Sequence, residues 1–404
     1  MKPIHHTLAL PVWRLIKMAY SYYMPTRIFF GEGELNRLGT EKLPGSKALI
    51  VLSAGNSMKR FGYLDRVKAL LEQNNTGYVV FDKILPNPIK KHVMEGAALA
   101  RAEGCDFVLG LGGGSSIDSA KTIAIMAANE GDLWDYITGG SGKGKPIPNP
   151  ALPIVAVTTT AGTGTESDPW AVVTKEETGE KIGIGIDATF PALSIVDPEL
   201  MVSVPPMLTA YQGFDALFHS TEGYIANIAN PISDMYALKA IELVGKYLPR
   251  AVKNGEDQKA RAMVALANTL SGFVESTSSC TSEHGIEHAL SGYHPDLPHG
   301  AGLIMISLAY YKAFVDVSAD RYITMARALG RTDVTKPEDF LDALAQLQVD
   351  CGVDGLKLSD YQIDNKNFVK YAEHAMDIMP GLFAVDPRPL QVEEVVSILR
   401  ESYR

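Results

Sequence analysis

Asp106-Phe-Val-Leu-Gly-Leu-Gly-Gly-Gly-Ser-Ser-Ile-Asp-Ser-Ala-Lys121 decides the fold. It opens with an apolar run of the kind found in parallel strands buried on both faces. The run passes directly into Gly112, Gly113, Gly114, Ser115 and Ser116, and a helix is predicted from about 117 to 128. Strand, glycines and helix in that order form a phosphate cradle. Glycines let backbone N–H groups approach an anion, and the start of the helix adds partial positive charge. A tight strand-to-helix turn without a ligand is the plainer alternative. Ordering three consecutive glycines costs much chain entropy, which favours binding. The run is neither G-x-G-x-x-G, whose last glycine is missing, nor a P-loop, because no Gly-Lys-Ser/Thr follows.

Outward from this segment the same alternation repeats. Strands are expected at 26–30, 47–52, 77–81 and 153–157, and helices at 34–43, 62–74 and 90–103. Strands alternating with helices at this spacing mean a parallel sheet covered on both faces. Two further β-rich pieces, 171–174 and 192–196, flank a hairpin-like turn at Glu176–Glu180, and 141–150 reads as a surface loop. After Pro205-Pro206 the periodicity is helical almost throughout, as in 234–246, 258–276 and 303–315. The expected organisation is an α/β domain over 1–205 and an all-helical domain over 206–404.

The 404 residues, 46% hydrophobic and 21% charged, are ordinary for a globular protein. A net charge of −10 repels phosphate backbones and argues against nucleic acid as a partner. No run of apolar residues is long enough to span a membrane, and the short apolar stretch 8–13 is interrupted by Pro11, so a signal peptide is not expected. Cys105, Cys280 and Cys351 are far apart, which fits reduced thiols in a cytoplasmic protein and argues against a disulfide framework or a thiolate zinc site.

A second small-residue loop, Val157-Thr-Thr-Thr-Ala-Gly-Thr-Gly-Thr-Glu166, also follows a strand. Ligands of open α/β sheets bind at that edge, so two such loops together point to a nucleotide. The strand 47–52 ends in Ser53-Ala-Gly-Asn56, without the carboxylate that would hold a ribose 2′-hydroxyl, and Lys59 and Arg60 follow. This points to NADP(H) and leaves NAD(H) open.

Four of the nine histidines crowd into Ser282–Gly300: His284, His288, His294 and His299. His284-Gly-Ile-Glu-His288 alone fits the H-x-x-E-H pattern of metallopeptidases, with Glu287 as base. Asp215 and His219, four apart on an expected helix, repeat the spacing of His284 and His288. Singly, each is an ordinary polar residue. Two such pairs plus His299, without thiolates, suit a divalent metal such as Fe²⁺ or Zn²⁺.

Taken in order, Gly112–Lys121, Thr159–Glu166, Gly213-Phe-Asp-Ala-Leu-Phe-His219, and His284-x₃-His288 with Pro298-His-Gly300 resemble the iron-containing (group III) alcohol dehydrogenases from about Tyr22 onward. The resemblance implies an N-terminal Rossmann-like dinucleotide-binding domain, a helical C-terminal domain and an active site between them. It implies metal ligands at Asp215, His219, His284 and His299, and a non-ligand histidine near nicotinamide and substrate at His288. It implies cofactor contacts at Ser53, Asn87, Gly112, Gly113, Gly114, Ser115, Asp118, Thr159, Thr160, Thr163 and Lys181, and a homodimer. Against the family pattern, the segment Glu275–Glu283 is polar where many relatives are apolar. Trp170 and Phe273 are candidate walls of the substrate pocket, with core packing as the competing reading. His294 is expected on the surface, and Cys280 as a small buried thiol.

The expected activity is reversible oxidation of a small primary alcohol or diol to its aldehyde, with the metal as Lewis acid, NAD(P) as hydride acceptor and His288 relaying the proton. A polyol or glycerol dehydrogenase is the related alternative. The metallopeptidase leaves both glycine loops unused, and a non-enzymatic nucleotide-binding module ignores the histidines.

Overall fold

A computed structural model describes residues 19–404; the stretch 8–13 lies outside the described residues. Six parallel strands form the main sheet: β1 (Arg27–Phe30), β2 (Lys47–Ser53), β3 (Gly77–Ile84), β4 (Phe107–Gly112), β5 (Ile154–Thr158) and β8 (Leu193–Val196), in the order β1-β8-β5-β4-β2-β3. The intervening helices are α1 (Ser57–Arg60), α2 (Tyr63–Gln73), α3 (Lys90–Glu103), α4 (Gly114–Ala128) and α5 (Leu133–Tyr136).

Period-two alternation explains how the sheet is buried on both faces. Leu49, Val51 and Val108 point into one apolar cluster, shared with α3 and α4. Ala48, Ile50, Leu52, Phe107, Leu109 and Leu111 point into the other, shared with α2. The central strand β4 has no solvent-facing side chain. This is why it reads as a continuous apolar run.

Two expectations of local structure are corrected. The segment 34–43 is not an α-helix but a short 3₁₀ turn over Glu34–Gly39, entered through Gly33 at φ 78°. The piece 171–174 does not pair with 192–196. β6 (Ala171–Lys175) forms an antiparallel hairpin with β7 (Glu180–Ile184), and β8 instead joins the main sheet between β1 and β5. Glu176–Glu180 does make the turn, but the alternation of 180–184 is masked by Gly183 and by buried polar residues at 180 and 181.

Beyond Val196 no strand is found among the described residues. The helices are α6 (Pro206–Ile225), α7 (Pro231–Lys253), α8 (Gln258–Ser278), α9 (Ser282–Tyr293), α10 (His299–Lys312), α11 (Ala319–Ala328), α12 (Asp339–Asp350), α13 (Phe368–Ile378), α14 (Pro380–Ala384) and α15 (Val392–Ser402). Their apolar faces meet in one large cluster around Phe214, Phe218, Tyr310, Tyr311, Tyr322 and Phe340. His299 is the first residue of a helix, and Pro298 immediately before it stands at the N-cap position. His294 is not a free surface group: it is half-buried and bonded to Tyr371 Oη at 2.8 Å.

Candidate metal and cofactor site

Asp215 and His219 lie one turn apart on α6, His284 and His288 one turn apart on α9, and His299 begins α10. The Nε2 atoms of His299, His284 and His219 approach a single oxygen, Asp215 Oδ1, at 3.4, 3.5 and 3.8 Å. The rings of His219 and His284 stack with centroids 4.3 Å apart, and His299 lies 5.3 Å from His284.

A carboxylate is bonded behind two of the three imidazoles. His284 Nδ1 bonds Glu222 Oε1 at 2.5 Å, and His299 Nδ1 bonds Glu287 Oε2. Glu275 Oε1 lies 3.4 Å from His219 Nδ1, but neither atom has a hydrogen-bond partner. A carboxylate on Nδ1 fixes the imidazole ring and makes Nε2 the better donor. Burial alone would raise the Asp215 carboxyl, but the facing imidazoles of His219 and His299, with that of His284 beside them, hold it well below its usual range. Burial pushes His219 down to about 3. Burial also opposes charge on His284, yet Glu222 and Asp215 outweigh it and raise that imidazole well above normal. For His288, burial and the nearby Lys181 act in the same direction and keep the ring neutral.

The fit to a cation rests on orphaned atoms. Asp215 Oδ1 and His284 Nε2 are buried without hydrogen-bond partners. Buried polar atoms are almost always satisfied, so such a pair facing each other marks a place for a ligand. Two overlapping sets have metal-like spacing: Asp215, His284 and His299, and Glu287, His288 and His299. The first is the better candidate. The Glu287 carboxylate of the second is already bonded to His299 and to Lys181 Nζ, whose ammonium would repel a cation.

This cluster forms one wall of a cleft. Across it stand Gly114 and Ser115 at the start of α4, whose N-terminus carries partial positive charge. The two glycine-rich loops pack on each other. A Cβ on Gly114 would lie 2.4 Å from Thr163 Cγ2, and one on Gly113 would lie 2.7 Å from Thr160 Oγ1. The second loop in turn abuts α8 backbone to backbone. Gly164, at φ +66°, would place a Cβ 2.5 Å from Gly272 N. Glycine is therefore required here by close approach of chains, in addition to any phosphate.

Asn87, Gly114, Ser115, Asp118, Thr163, Trp170, Lys181, His219, His284, His288 and His299 line the cleft. Asp215 lies directly behind its wall. Ser53 at the end of β2, Gly112, Gly113, Thr159 and Thr160 are not in the lining. Phe273 is not in it either, and packs edge-on against Tyr236 at 5.1 Å. Asn87 Nδ2 donates to Pro295 O at 2.9 Å, tying the β3–α3 connection to the segment before His299. Lys181 Nζ donates to Ser291 Oγ at 2.8 Å and to Glu287 Oε2 at 3.3 Å. Asp118 accepts from Thr165 Oγ1 and from Val172 N, and burial pushes its carboxyl up to about 6. Burial pushes the Cys280 thiol well up, so it stays protonated.

Sequence reading passed over Glu222, Glu275, Lys121 and Asp168. Glu222 was within reach, three residues after His219 on the same helix face. Lys121 is fully buried and donates to Thr165 Oγ1, Asp168 O, Asp168 Oδ1 and Trp170 O, holding the strap that presents Trp170. No spacing relates Glu275 to His219, which only the tertiary fold brings together.

Residues 25–198 match the family model for iron-containing alcohol dehydrogenase, and residues 209–403 match the C-terminal model of the same family. The chain is 36% identical to alcohol dehydrogenase 4 of Schizosaccharomyces pombe over 386 residues, 95% of this chain and 89% of that one. It is 40% identical to choline dehydrogenase of Bacillus subtilis over 283 residues, 70% of this chain and 69% of that one. It superimposes on the crystal structure of an archaeal halo-thermophilic alcohol dehydrogenase from a Red Sea brine pool with a TM-score of 0.91 and 36% identity. That match covers 96% of this chain and 99% of the other.

Proposed function

The chain belongs to the iron-containing alcohol dehydrogenase family, and from that premise we propose how its residues divide the work of oxidising a primary alcohol or diol to its aldehyde. Asp215, His219, His284 and His299 hold a divalent metal, Fe²⁺ or Zn²⁺. When bound, that ion supplies Lewis acidity that favours the alkoxide form of the substrate. The observation that carries the reading is the convergence of three imidazole Nε2 atoms on Asp215 Oδ1, in the wall of the cleft that also receives the N-terminus of α4.

Residues 1–205 form the dinucleotide-binding domain and 206–404 the metal-binding domain. Gly112 to Ser115 present backbone N–H groups and the α4 N-terminus to a pyrophosphate, and Asn87, Thr159, Thr160 and Thr163 flank the same path. Ser53 and Lys59 leave room and charge for a 2′-phosphate, which favours NADP(H) over NAD(H). Lys59 Nζ bonds Asp82 Oδ2 at 2.6 Å, however, so part of its charge is committed. His288, neutral and buried beside His299, takes the hydroxyl proton toward solvent. Pro86, Pro88, Val172, Met379 and Leu382 keep water from the reacting carbon.

The protein works in the cytoplasm, where its free thiols at Cys105, Cys280 and Cys351 stay reduced, and as a homodimer. Among the described residues no helix is long and apolar enough to cross a membrane. The relatives' names span uncharged alcohols (1,3-propanediol, methanol and butanol) and one cationic alcohol, choline. The test is a screen of short alcohols, diols and amino alcohols with NAD⁺ and NADP⁺ and added Fe²⁺ or Zn²⁺, read by nicotinamide absorbance. Reduction of nicotinamide by at least one alcohol is expected, and none with any pairing of metal and cofactor would overturn the reading.

A further inference from the structure

The chemistry assigned above uses Asp215 and three histidines, and accounts for Glu222 and Glu287 as the groups that hold His284 and His299. It leaves Glu275 without a task. This side chain projects from α8 into the lining of the cleft, next to Ser279 and Cys280 and on the same wall as His219. Its residue is 9% exposed, and Oε1 is fully buried with no hydrogen-bond partner. No lysine or arginine forms an ion pair with it among the described residues. Its nearest ionisable neighbour is the His219 imidazole, at 3.4 Å without a hydrogen bond, and burial together with the Asp168 and Asp215 carboxylates further off opposes its ionisation.

The nearby ammonium groups are committed elsewhere. Lys121 is sealed behind Thr165 and Asp168, and Lys181 is bonded to Glu287 and Ser291. A carboxyl removed from water without a partner is costly to ionise, and a cation brought beside it offsets that cost. Another recognition element lines the same cleft. Trp170 is 41% exposed, held out by the Lys121 bond to its carbonyl. An indole and a carboxyl lining one cleft supply the two kinds of group that attract ammonium, the indole face suiting quaternary ammonium in particular.

We infer that the substrate is an alcohol bearing a fixed or protonated ammonium group, whose charge is received by Glu275 and Trp170. This deepens the dehydrogenase reading and rests on it. In the reaction the ammonium is a spectator. The carbinol C–H bond breaks with its electron pair passing to oxidised nicotinamide, the hydroxyl proton leaves to solvent, and the carbon becomes an aldehyde. Ser279 and Cys280, which line the cleft beside Glu275, leave that end of it polar rather than suited to hydrocarbon.

The test compares choline with 3,3-dimethylbutan-1-ol, which has the same shape and no charge, in the metal-loaded enzyme with NAD⁺ and NADP⁺. Choline should show kcat/KM about tenfold or more above its neutral isostere, and Glu275→Gln should bring that ratio to about one. Equal or better use of the neutral alcohol by the wild type would overturn the inference. So would a Gln variant that loses metal and activity toward both alcohols alike with the ratio unchanged, because Glu275 would then only steady His219. Titration calorimetry with tetramethylammonium reads the pocket without turnover. Saturable binding that weakens in Glu275→Gln supports the cation site, and no binding to the wild type overturns it. Failure of every alcohol to reduce nicotinamide would defeat the dehydrogenase reading, while the calorimetry would still decide the pocket.

Discussion

The two walls of the cleft are built by opposite means. The sheet side, at the ends of β4 and β5, offers backbone and small side chains, and its geometry depends on what is missing: Cβ atoms at Gly113, Gly114 and Gly164. The helical side offers large, buried, ionisable side chains, and its geometry depends on what backs them: Glu222 behind His284 and Glu287 behind His299. One wall binds by letting chains come close, the other by holding charges in place. Substitutions should therefore fail differently on the two sides.

The largest effect is expected on the helical side. His284→Ala removes a donor that has no substitute, and turnover should fall by roughly 1,000-fold with a matching loss of bound metal by elemental analysis. Full metal content in this variant would move the ligand set elsewhere.

Next comes the seam where the second loop meets α8. Glu166 is fully buried and accepts from Asn268 Nδ2 and Thr269 Oγ1. Burial pushes its carboxyl from 4.5 up to about 7. The native state thus holds a proton that the unfolded chain gives up more readily. The associated stability is fully present below pH 4.5 and is lost as pH rises to about 7. The loss amounts to about 3 kcal/mol for this group. Denaturation midpoints across that range should fall in the wild type and fall less in Glu166→Gln. Parallel slopes would show that Glu166 is ionised throughout.

Glu222→Gln keeps the shape behind His284 and removes the charge. Metal affinity should weaken by about 10- to 100-fold, with activity recovering when the ion is supplied in excess. Recovery would separate a positioning role from a structural one. On the sheet side, Gly114→Ala should leave metal content intact and weaken cofactor binding by about tenfold through the clash with Thr163. Thr163→Ser in the same chain removes the clashing methyl and should restore part of it. A Gly114→Ala variant with normal cofactor affinity would erase the contrast between the walls.

That contrast also explains what was legible in the sequence. The β4–α4 segment is local: apolar run, glycines and helix follow one another, so fold class and cradle could be read directly. The clustering of the proposed metal ligands was legible because α6 and α9 each repeat an i,i+4 spacing that helical geometry turns into one face. The pairings Glu287–His299 and Glu275–His219 span separate elements and leave no spacing to find. The swap of 192–196 from hairpin to main sheet escaped for the same reason. Pairing is decided by the partner strand's neighbours, and the short run 180–184 carries Glu180 and Lys181 buried at the hairpin. Glu180 is there because it accepts from Trp134 Nε1 and Ser141, and Lys181 because it reaches α9.

The central claim is that Asp215, His219, His284 and His299 hold a metal without which no alcohol is oxidised. The direct measurement is nicotinamide reduction by enzyme stripped with a chelator, checked for residual metal, and then reloaded with one equivalent of Fe²⁺ or Zn²⁺. The account predicts no turnover in the stripped protein and recovery in proportion to metal bound. Full turnover by protein shown to contain no metal would contradict it.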